Sequence, residues 1–194
     1  MTKHPSLKKQ AKIIRSFRKI HRFTGALLFL FFIAVSVSGI LLGWKNYSNG
    51  SLLPESQQGT SIDLADWLPI DRLHELACKE LQATTSETIS VELERIDIRK
   101  DKGMVKFVFE EDYWEVQLDG ATGKTLQVAK RHSDLLENIH DGSLFGSALG
   151  NSNAFKIFYT SVMGLALLLF SITGFWMWYG PKRMRKLRNS KSNR

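Results

Sequence analysis

The stretch Phe23 to Trp44, FTGALLFLFFIAVSVSGILLGW, runs 22 residues without a charge. About 20 apolar residues in a helix cross the hydrocarbon core of a bilayer, so this run reads as a membrane span. A second run, Ile157 to Tyr179, IFYTSVMGLALLLFSITGFWMWY, reads the same way. The charges sort around these two runs. All 19 Asp and Glu lie between Asn46 and Ala154, together with 10 of the 27 Lys and Arg. The flanks hold the other 17 basic residues and no acid, which gives the net charge of +8. Basic residues mark the cytoplasmic side of a span. The pattern predicts two antiparallel transmembrane helices, both termini cytoplasmic, and a hydrophilic domain inserted between them on the other side.

The pI near 9.6 does not point to nucleic acid, because the positive charge flanks the apolar runs. Cationic segments beside a span lie against anionic lipid. The first run is too long for a signal-peptide core, and Gly43-Trp44-Lys45 is no cleavage site, so it reads as an uncleaved anchor. Cys78 is the only cysteine, which excludes an intramolecular disulfide and a cysteine metal cluster.

Residues 1–22 read as a basic amphipathic segment, with Ile13, Ile14, Phe17 and His21 on one side. The first span covers 23–44, and 45–60 reads as a linker. The inserted domain covers 61–132. It opens with a helix from Pro69 to about Gln82, whose inner stripe is Leu73, Leu76, Ala77 and Leu81. Four strands follow: Arg95 to Arg99, Met104 to Glu110, the alternation Trp114, Val116, Leu118, and a last strand marked by Leu126 and Val128. A helix followed by an antiparallel meander is an α+β module. A juxtamembrane helical segment is expected over 133–154, with Gly142, Gly146 and Gly150 along one ridge that admits a close neighbour. The second span covers 155–179, and 180–194 is a basic tail. Ser36-Val37-Ser38-Gly39-Ile40 in the first span echoes Ser171-Ile172-Thr173-Gly174-Phe175 in the second, in the manner of an inverted pair.

Several of these segments resemble one known family. Lys19-Ile20-His21-Arg22-Phe23-Thr24-Gly25, running on to Ser38-Gly39, resembles the opening helix of the PepSY-associated transmembrane proteins. Trp114-Glu115-Val116-Gln117-Leu118-Asp119-Gly120-Ala121-Thr122-Gly123-Lys124 resembles the end of a PepSY domain. Ile139-His140-Asp141-Gly142 and Ile172-Thr173-Gly174-Phe175-Trp176-Met177-Trp178 resemble the entry to the family's second span and its close. The resemblance implies a membrane α-helical protein with an inserted α+β PepSY-like domain in the periplasm of a bacterial inner membrane. Larger relatives with four or more spans resemble reductases that pass electrons through haem b to ferric complexes, their irons held by histidines at span ends. This chain has two spans.

On that basis haem b is the expected cofactor, with His21 and His140 as its candidate ligands. Gly25 lies one turn from His21 and would leave room for a flat ring; Asp141 or Glu137 could orient His140. The plainer readings are an interfacial histidine in a basic cluster and a helix-surface histidine. His21 belongs to the inner face and His140 to the outer, so a bis-histidine haem would take two copies of the chain. A homodimer or a membrane-complex partner is therefore expected. His74 is expected on the exposed side of the domain helix, and its spacing with Glu75 and Cys78 is a weak metal signal. The acidic run Glu110-Glu111-Asp112 reads as a solvated turn. Two functions compete. One is haem-linked electron transfer toward a periplasmic acceptor. The other is an anchored PepSY module that binds a peptide or protein partner, or serves as an accessory subunit of a larger complex.

Overall fold

The computed structural model describes residues 7–148 and 152–192. The chain divides into two units, residues 1–37 with 140–194 and residues 38–139.

In the first unit the long helices are α1 (Leu7–Trp44) and α5 (Ser152–Ser192). Both are long and apolar enough to cross a membrane. Leu27, Leu30, Ile33, Leu165 and Leu168 stand more than half exposed, as lipid-facing side chains do. The basic segment expected to precede the first span is continuous with it in α1, since neither Pro nor a turn signal interrupts 7–44. The second helix likewise runs on through Pro181. Proline gives up one backbone hydrogen bond but keeps a helical φ, and the Lys, Arg, Met and Leu that follow favour helix.

The two helices are antiparallel. Ile14 lies against Gly180, Phe17 stacks on Trp176 at 6.2 Å, and Phe31 meets Tyr159 at 6.3 Å. Partner numbers fall along α5 as they rise along α1. Ser38 and Thr173, equivalent positions of the internal echo, are both buried.

The segment before α5 departs from the expected single helix. Helix α3 (His132–Asp141) ends at Gly142, and α4 (Ser143–Ala148) starts afresh. Gly142 has φ +79°, and a Cβ there would fall 2.6 Å from the Tyr159 ring. Gly142 and Gly146 thus do not continue one helical ridge; Gly150 lies outside the described residues.

In the second unit, α2 (Ile70–Thr84) packs on a four-stranded antiparallel meander: β1 (Leu93–Arg99), β2 (Met104–Phe109), β3 (Trp114–Asp119) and β4 (Thr125–Lys130). This is the expected α+β module. Alternation along each strand sends Val105, Phe107, Phe109, Val116 and Leu118 to one face, where they meet Leu73, Ala77 and Leu81 of α2. Leu76 only fringes this core. Trp67 caps it from the loop before α2, lying directly on Gly120; a Cβ at Gly120 would sit 2.4 Å from the indole.

The other face carries Lys106, Glu115, Gln117 and Asp119, all buried. Their cover is the stretch 53–60, read from sequence as linker. It crosses the sheet as a strap. The Gln57 amide donates to Gln117 Oε1 at 2.9 Å, Gln117 Nε2 donates to the Glu55 carbonyl at 2.9 Å, and Lys102 Nζ donates to the Ser56 carbonyl at 2.8 Å. Asp119 secures the far end by accepting from the Thr60 amide at 3.0 Å and its hydroxyl at 3.1 Å.

Candidate functional site

His21 is wedged between the two long helices. Its Nδ1 lies 3.2 Å from the Phe170 carbonyl and 3.0 Å from Thr173 Oγ1. Thr173 Oγ1 already donates to the Leu169 and Phe170 carbonyls one turn back, so it accepts from the histidine. This favours the tautomer with the proton on Nδ1 and the lone pair on Nε2. The imidazole stacks on Phe170, ring centres 3.8 Å apart and planes 23° from parallel. Of the nearby glycines, Gly25 makes room for this contact, and Gly174 lies beside it at ordinary contact distance. A Cβ on Gly174 would stand 3.4 Å from His21 Cε1, and one on Gly25 would stand 3.0 Å from Phe170 Cε2. The space beside Gly25 is therefore taken by Phe170, whose ring also meets Phe32 edge-on at 5.6 Å.

His140 lies in the last turn of α3. The two carboxylates expected to orient it have other partners. Asp141 accepts from the Ser143 amide at 2.9 Å and from the Ser143 hydroxyl, and it pairs with Lys156; Glu137 pairs with Lys45 at 2.6 Å. Burial pushes Asp141 up, but Lys156 and Ser143 outweigh it and hold the carboxyl below its ordinary range.

His21 and His140 are not brought together. His21 is level with Thr173 on α5, whereas Gly142, two residues beyond His140, rests on Tyr159. The intervening length of α5 is about 21 Å at 1.5 Å per residue.

His74 is not on an exposed face. It is half-buried and stacks on Phe107, with centroids 5.9 Å apart, and its Nε2 is buried without a hydrogen-bond partner among the described residues. Burial pushes the thiol of Cys78, one turn further on, above its ordinary range, which disfavours the thiolate. No group of three or more His, Cys, Asp or Glu is placed to hold a metal ion among the described residues. Glu110, Glu111 and Asp112 form the exposed turn expected of them.

The densest polar cluster lies under the strap. Glu115 is fully buried. One of its oxygens accepts from Lys106 Nζ at 3.1 Å and from Gln117 Nε2 at 2.6 Å, and the other pairs with Arg131. Arg131 Nε donates to Asp134 at 2.8 Å, and Asp134 also accepts from Arg95 at 3.0 Å. Burial pushes Asp134 up, but Arg131, Ser133 and Arg95 together hold it below the ordinary carboxylate range. Sequence reasoning missed this chain of ion pairs. Its signal was present in the polar residues 106, 115 and 117, which alternate with apolar ones, but such a face ordinarily meets water.

The PepSY-associated TM region family matches residues 2–180. The chain belongs to that family. As a PepSY-associated TM region protein with two helices long and apolar enough to span, it is a membrane-associated PepSY protein. No curated protein and no solved structure matched it.

Proposed function

We propose that this PepSY-associated protein crosses the bacterial inner membrane twice, termini in the cytoplasm, and carries electrons toward a periplasmic acceptor through haem b held by His21. The carrying observation is the state of His21. Its Nδ1–H is spent on Phe170 and Thr173, and among the described residues no protein group takes Nε2. Metal-ligating histidines are fixed in this way, with one nitrogen tied to a carbonyl and the other left to the metal. Haem bound there would supply a one-electron carrier. The chain's own residues do the rest. Thr173 and Phe170 set the tautomer and the ring plane, and Phe17 stacks on Trp176 one turn from His21. Because His140 lies far along α5 from His21, a second histidine for the same group would come from His21 of another copy, so the functional unit would be a homodimer.

The second reading, an anchored binding module, draws on a different observation. The inserted domain has an open polar groove beside β1, an edge strand with no neighbour on one side.

One experiment separates the two. The protein is purified in mild detergent from haem-replete cells, and its absorption is recorded before and after dithionite. Sharp reduced b-type bands that vanish in His21→Ala establish the first reading. A colourless protein overturns it and leaves the second.

A further inference from the structure

The groove beside β1 has a volume of about 680 Å³ and lies between the strap and the edge strand. Lys106 and Arg131 reach it from the buried cluster, and Arg99, Lys102, Glu55 and Asp97 line it nearer solvent. Lys106 and Arg131 are respectively 5% and 8% exposed, so their charges are largely stripped of water. An ammonium offers three N–H donors, and among the described residues the Lys106 ammonium meets one protein acceptor, Glu115 Oε1. Arg131 places Nε on Asp134 and Nη1 on Glu115, and among the described residues Nη2 donates to no protein group. The groove is lined by four basic side chains and two acidic ones, a balance that suits an anion.

We propose that the groove binds a small organic anion bearing two or more carboxylates. One carboxylate takes the free donors of Lys106 and Arg131, and another meets Lys102 and Arg99. Glu55 and Asp97 on the same wall favour a ligand that also carries hydroxyl donors. Monovalent inorganic anions offer neither the reach nor the donors. The site uses nothing from the helix pair, so it stands whether or not His21 holds haem.

The test is calorimetric titration of the full-length protein in detergent with citrate at fixed ionic strength, with trimethyl citrate as the uncharged control. Saturable binding of citrate but not of the ester is expected. Lys102→Gln should weaken it about tenfold, the effect of losing one charged hydrogen bond. Lys106→Met should weaken it at least as much, with circular dichroism to confirm the fold; if that variant is unfolded, Lys102→Gln decides alone. The proposal is overturned if citrate shows no saturable heat at concentrations on the order of millimolar. It is equally overturned if the affinity is unchanged in Lys102→Gln.

Discussion

Lys106 on β2 and Glu115 on β3 meet at 3.1 Å beneath the strap, with side chains 6% and 0% exposed. They are not opposite one another in the ladder, where Lys106 pairs with Gln117 and Val108 with Glu115. The ion pair is diagonal, and Gln117 bridges it by donating to the same oxygen of Glu115. Arg131 closes the far side while keeping Asp134 as a second partner, so Glu115 is the carboxylate that Lys106 and Arg131 share.

That asymmetry sets the outcome of two substitutions. Glu115→Ala leaves Lys106 and Arg131 buried without their common partner and should cost about 3–5 kcal/mol, as broken buried ion pairs do. Lys106→Met removes one cation while Arg131 still neutralises Glu115, and it should cost clearly less. Chemical denaturation of the detergent-solubilised protein, followed by tryptophan fluorescence, ranks the two. Equal losses would show that Arg131 does not hold Glu115.

Acid should loosen the inserted domain through Asp119 and Asp134. Burial raises Asp119, but hydrogen bonds from Thr60, Ala121 and Thr122 outweigh it and depress its pKa. Asp134 is depressed by Arg131, Ser133 and Arg95 in the same way. A carboxyl with a depressed folded pKa takes up protons more readily in the unfolded chain, so its stabilisation is present above the unfolded value near 4. It is lost as pH falls through the folded value. The thermal midpoint should hold steady from pH 7 to about 5 and fall below about 4. In Asp119→Asn the fall should be shallower.

Gly120→Ala should destabilise the domain by about 1–3 kcal/mol, because the added methyl falls within the Trp67 indole. The indole is also tied by Nε1 to the Ser61 carbonyl at 2.9 Å and has little freedom to retreat. Thermal unfolding of this variant beside Trp67→Phe, Gly120→Ala checks the cause. The smaller ring should recover part of the loss.

Phe170→Ala removes the ring that stacks on His21 and fills the notch over Gly25. Truncating a packed phenylalanine costs about 3–5 kcal/mol in a core, and the helix pair should lose stability in that direction. The reading is a lower melting temperature of the full chain in detergent. Gly25→Leu combined with Phe170→Ala refills the notch and should raise the melting temperature again.

The helix pair was legible because its cause is local. A run of apolar residues as long as Phe23 to Trp44 favours a helix, which satisfies its own backbone hydrogen bonds. The core of the inserted domain was legible for a similar reason. Leu73, Ala77 and Leu81 at helical spacing, and Phe107 and Val116 at strand spacing, declare their faces by period alone. Family membership followed from motifs carried in the same segments.

What the sequence did not determine depends on groups far apart in the chain. Glu115, Gln117 and Lys106 look like a solvated face until residues 53–60 fold back over them, a cover set by hydrogen bonds spanning some sixty positions. His74 looks exposed until Phe107 lies against it. Gly25 looks like room for a ligand until Phe170, at the other end of the sequence, fills it. Periodicity tells which side of an element is apolar. It cannot tell which remote segment covers the polar side, because that choice is made only when the elements pack.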